Sequence, residues 1–178
     1  MKTGKILSKI VVVVCLLCLV LTAAAQTKRR KPVRRTSRAS TAATAANAAE
    51  IKASAEKVST QLKNVTKFIY VLGGVAQTIQ DVDASAKSGR ASRTTIDTNT
   101  RNKQSVVTTI GNLRAGLSAL EAEFQTKPAL LPYLPQIQGI SDIAANAEDQ
   151  ASAGQFVNSG KTLLQVVEKL SDTLAAMP

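Results

Sequence analysis

From Ile51 to Ile79 an apolar residue recurs alternately four and three places on: Ile51, Ala55, Val58, Leu62, Val65, Ile69, Leu72, Ala76 and Ile79. That spacing keeps one face of an α-helix apolar over about four heptads. A chain carrying it must pack helices side by side. Phe68, Val71 and Val75 widen the stripe at its middle, which predicts contact with more than one neighbouring helix. The same rhythm returns at Val106, Ile110, Leu113, Leu117, Leu120 and Phe124. It returns again at Ile137, Ile140, Ala144, Ala147 and Ala151, and finally at Phe156, Gly160, Leu163, Val167, Leu170, Leu174 and Met177. No stretch alternates with period two, so nothing favours strands.

Punctuation between the stripes sets the boundaries. Ser88-Gly89 is a stop and turn, Thr94 to Asp97 fits a loose capping box, and Ser152-Ala153-Gly154 should end the third helix. Pro128, Pro132 and Pro135 belong to helix starts or breaks. The expected helices are therefore about 48–87, 95–126, 135–151 and 155–176 within one body, 48–178. Short connections favour antiparallel neighbours, so the fold class is all-α: an up-and-down four-helix bundle with coiled-coil-like seams. The seams could also be satisfied between chains, so a homo-oligomer is allowed.

Ahead of this body the chain changes character. Lys2, Lys5 and Lys9 precede an apolar run from Ile10 to Leu21, and Ala23-Ala24-Ala25 offers a cleavage site before Gln26. This reads as a signal peptide, 1–25, and predicts a secreted or periplasmic protein. The apolar run is short of the roughly 20 residues of a membrane-spanning helix. The two cysteines, Cys15 and Cys18, lie inside it and read as small apolar residues rather than a redox pair. Downstream, Lys28, Arg29, Arg30, Lys31, Arg34, Arg35 and Arg38 cluster in a segment, 26–47, that turns rich in Ala, Ser and Thr. Lacking large apolar residues beyond Val33, it is expected to be a disordered basic arm. Positive charge after an apolar run tends to stay cytoplasmic, so an uncleaved, membrane-anchored N-terminus is the alternative.

Charge is divided unevenly. Of 23 basic residues, 13 fall within 48–178 together with all 12 acids, leaving that body at +1 while the whole chain is +11. The seven arm cations are candidate anion-binding residues for an anionic envelope surface or polymer, or for membrane lipid head groups. Nucleic acid is disfavoured, because the arm has no aromatic side chain on which a base could stack.

Chemistry is thinly represented. The chain has no His, which removes Ser-His and Cys-His nucleophiles, His-ligated metals and an imidazole base. No metal, cofactor or catalytic residue is assigned. Gly160-Lys161-Thr162 resembles the end of a phosphate loop, but Gln155 stands where the loop needs Gly. Ser54-Ala55-Glu56-Lys57 matches S-x-x-K without its companion motifs. Asp81/Asp83 and Glu121/Glu123 are two apart and diverge on a helix. Gly73-Gly74 sits inside the first helix; close approach of a neighbouring helix is the favoured cause, with a hinge or small apolar pocket there as the alternative. Asn99 and Lys103 should lie opposite Asp83 across the first hairpin, a polar layer able to fix register.

The functional expectation is an exported, non-enzymatic bundle acting as a structural or interaction module, held by its arm to an anionic surface. A second possibility is a binder of small apolar ligands, with a pocket at the bundle waist formed by Phe68, Leu72, Leu117 and Leu163.

Overall fold

The structure is a computed structural model that describes the backbone of residues 36–178 and side chains from Thr44 onward. The expected signal peptide and the basic residues Lys28 to Arg35 lie outside the described residues. Among the described residues every regular element is helical. Helix α1 spans Thr36–Lys87 and α2 spans Arg93–Thr126. A 3-10 turn at Leu131–Tyr133 leads into a single turn, α3, Leu134–Ile137. Helices α4, Ile140–Ser152, and α5, Phe156–Ala176, complete the chain.

The predicted turns form with identifiable chemistry. At the end of α1 the Arg90 N–H donates to Ser85 O and the Gly89 N–H to Ala86 O, with Gly89 at φ 71°. Gly154, at φ 77°, repeats this pair of bonds after α4 through Gln155 to Gln150 and Gly154 to Ala151. Both are helix ends in which a left-handed glycine lets the next residues satisfy orphan carbonyls.

The long stripes are buried as the spacing predicts. Val58, Val65, Leu72, Ala76 and Ile79 of α1 join Val106, Ile110, Leu117, Leu120 and Phe124 of α2 in one core with α4 and α5. Helices α1 and α2 run antiparallel along the whole of α2. Asp83 meets Asn99 and Lys103 near the turn, Gln61 lies against Gly116, Lys57 meets Glu123, and Glu50 meets Lys127 at the far end. The next pair is antiparallel too: Arg114 bridges to Glu148 and Glu121 reaches Ser141. Thr162 donates to Gln150 across α4 and α5, and Leu72 lies against Gly160 of α5. The four long helices thus close into a bundle.

Five expectations are corrected. First, α1 begins at Thr36, so the Ala-rich end of the expected arm is helical. Alanine is the strongest helix former, and adding turns to an existing helix avoids the cost of nucleation. Second, the α2 cap is Ser92 rather than Thr94; its side chain accepts from the Thr95 N–H at 3.2 Å. Third, the third helix is not continuous: Gly139, at φ 80°, divides α3 from α4. Fourth, Val71 does not widen the core stripe and is 58 % exposed. Fifth, among the described residues no neighbouring helix approaches Gly73-Gly74. Both are exposed, and a Cβ at either would find no atom within 4 Å.

The stripe on α5 also differs in detail. The fully buried row includes Ser159, Val166 and Thr173, whereas Gly160, Val167 and Leu174 lie at its margin. Two of the three inner residues are polar, which hides the row from a count of apolar residues. Thr173 is accommodated because its hydroxyl donates to Lys169 O at 2.7 Å.

Candidate functional site

Of the seven cations expected to bind an anion, Arg38 lies on the first turns of α1, and the other six precede the described residues. The waist residues behave differently. Leu72, Leu117 and Leu163 are buried in the common core. Phe68 is only half-buried and lines an open groove between α1 and α2 with Val71, Val75, Asn102, Ser105 and Val106. The four residues do not share that groove.

Besides the Arg114–Glu148 bridge, charged side chains among the described residues converge in three places, and each is a brace between helices. At the α1–α2 hairpin, Asp83 Oδ1 accepts from Asn99 Nδ2 at 2.8 Å and from Lys103 Nζ at 2.7 Å. This is the polar layer that the spacing of Asn99 and Lys103 anticipates.

At the opposite end Glu123 gathers three donors. Lys57 Nζ lies 2.9 and 2.7 Å from its two oxygens, Lys127 Nζ 2.6 Å from Oε1, and the buried Ser54 hydroxyl donates to Oε1 at 3.2 Å. Burial opposes ionisation of Glu123. The hydrogen bonds and charges of Lys127 and Lys57 outweigh it and bring the carboxyl down to about 2. The contact with Glu123 raises Lys127 in turn. The S-x-x-K pair therefore serves the carboxylate: Ser54 gives its hydrogen bond to Glu123, and Lys57 is salt-bridged to the same group.

The third place is the break between α3 and α4. A break leaves carbonyls unpaired on one side and amides on the other. Lys169 of α5 donates to Gln138 O at 3.0 Å and Gln136 O at 3.4 Å. Glu121 of α2 accepts from the Gly139 N–H at 2.6 Å, the Ser141 N–H at 3.2 Å and the Ser141 hydroxyl at 2.5 Å. Burial again raises the Glu121 carboxyl, but the Ser141 hydroxyl, the two amides and the Lys169 charge together hold it below the usual carboxylate range. Spacing alone gave Glu121 no role. The signal available was Gly139, four residues after Pro135, which marks a helix break needing partners for its open ends.

Gly160-Lys161-Thr162 lies within α5, where Thr162 is buried and donates to Gln150 Oε1 at 2.9 Å. It forms no phosphate loop.

One surface is not accounted for by bracing. On the outer face of α1, Tyr70 is 86 % exposed and Val71 58 % exposed, and the bare backbone of Gly73-Gly74 follows. Tyr70 and Gly74 each stand two residues from buried Leu72, roughly 200° around the helix, so the spacing already sets them away from the core. Neither glycine has the positive φ that would require it, and each weakens the helix by about 1 kcal/mol relative to Ala. Nothing within the described fold offsets that cost.

No protein family, curated protein or solved structure matches this chain.

Proposed function

We propose that this is an exported, non-enzymatic helical module whose basic segment, Lys28 to Arg38, tethers it electrostatically to an anionic surface. The observation that carries the reading is the separation of charge: seven cations and no acid in that segment, ahead of a body at +1. Near an anionic leaflet each cation contributes on the order of 1 kcal/mol. An envelope polymer bearing phosphate or carboxylate groups would attract the same segment.

The body's own chemistry supports a structural role. Glu121 and Glu123 are hydrogen-bonded across helices and held ionised, which makes them poor proton carriers near neutral pH. Among the described residues no helix is long and apolar enough to cross a membrane.

Vesicle sedimentation tests the tether. The mature chain should pellet with phosphatidylglycerol-containing vesicles and stay in solution with purely zwitterionic ones. Binding should fall as salt rises from about 0.1 to about 1 M, where the screening length drops from about 10 to about 3 Å. Deleting residues 26–35 should abolish it; undiminished binding by that variant would overturn the proposal. Intact mass of the natively produced protein tests export independently, with a chain beginning at Gln26 as the expected result.

A further inference from the structure

We infer that the outer face of α1 is a self-complementary interface that pairs two copies of this chain antiparallel, about a twofold axis level with Leu72. The inference starts from the unexplained glycines. Gly73 and Gly74 expose helix backbone on the surface, with no atom within 4 Å of where a Cβ would stand. One turn before them Tyr70 projects into solvent at 86 % exposure. A large projecting side chain and a bare stretch four residues away form a knob and a seat on the same face. Within one helix they do not meet, because helix side chains lean toward the N-terminus and Tyr70 therefore leans away from its own Gly74. They meet when a second α1 lies antiparallel across the first, which sets each Tyr70 over the Gly74 of the other copy.

The charges on this face fit the same symmetry. Under a twofold axis level with Leu72, residue 63 meets residue 81 and residue 67 meets residue 77. Lys63 therefore lies beside Asp81 of the second copy, and Lys67 beside Gln77, whose amide oxygen can accept its hydrogen bond. Lys63, Lys67, Gln77 and Asp81 are all exposed, and neither lysine nor Asp81 forms an ion pair among the described residues. The cations occupy one end of the face and the acid the other, so parallel pairing sets like charges together and antiparallel pairing sets opposites together. An isologous interface requires this kind of reversal about its axis. Lys63 to Asp81 spans about 27 Å at about 1.5 Å per residue.

Sedimentation equilibrium on the mature full-length chain tests the pairing, with circular dichroism to follow the fold. The wild type should pass from monomer to dimer as concentration rises. Lys63→Asp alone or Asp81→Lys alone should raise the dimer Kd about tenfold, since each creates two like-charge contacts per dimer. The double variant Lys63→Asp/Asp81→Lys should return to within about threefold of wild type. Gly74→Leu should raise the melting temperature of the monomer while eliminating the dimer, because leucine suits the helix but fills the seat for Tyr70. A wild type monomeric at every concentration overturns the inference. So does a dimer indifferent to Gly74→Leu, or single-charge defects that the double variant does not repair.

Discussion

Individual carboxylates decide how this bundle responds to acid. Glu123 is depressed from 4.5 to about 2, so its contribution to folding is complete above about pH 4.5 and is lost as pH falls towards about 2. Because Lys57 is half in solvent, that contribution is discounted to about 1–2 kcal/mol. Thermal melts should therefore show Glu123→Gln with a lower Tm at pH 7 and a flatter profile between pH 4.5 and 2 than wild type. Asp83→Ala should cost about 1–2 kcal/mol in chemical denaturation, chiefly by removing the shorter of the two hydrogen bonds made by the buried Asn99 amide and leaving it only the 3.4 Å contact with Ile79 O. Lys103→Leu should cost less, since Lys103 and Asp83 are both over a third exposed. The opposition of Asp83 to Asn99 and Lys103 was legible because a seam extended backwards puts fixed positions across a hairpin. Glu121 was not, since the Gly139 and Ser141 amides and the Ser141 hydroxyl that bind it come free together only where the third helix breaks.

At the scale of elements, periodicity located the four long helices, and irregular chemistry set their ends. Apolar spacing does not mark the α5 row containing Ser159 and Thr173, because burial there follows geometry while a count of apolar residues follows composition. Two glycine substitutions should move stability in opposite directions. Gly139→Ala forces a side chain onto a residue at φ 80° and should cost about 1–2 kcal/mol. Gly73→Ala meets open space and should stabilise the monomer by about 0.5–1 kcal/mol. Equilibrium unfolding in urea measures both. Amide hydrogen exchange should separate the two parts of α1. Residues 44–49, whose side chains are exposed, should exchange much faster than the packed stretch from Val58 to Ile79.

For the molecule as a whole, the all-helical class and the shared core followed from spacing, and core truncations should carry the penalties such packing implies. Ile110→Ala or Leu117→Ala, both fully buried, should lose about 2–5 kcal/mol. The outer face of α1 was only partly legible: the Gly73-Gly74 pair is conspicuous in the sequence, but among the described residues no neighbour meets it. Exposure of Tyr70 became meaningful only beside the glycines and the sign reversal from Lys63 to Asp81.

The break before α4 has a consequence for how the protein comes apart. Its open carbonyls are held by a lysine of α5 and its open amides by a glutamate of α2. Peeling the connector away would strand Lys169 and Glu121 without their partners on two other helices. This stretch should therefore resist proteases as long as the bundle stands, and yield only in the same step that melts the rest.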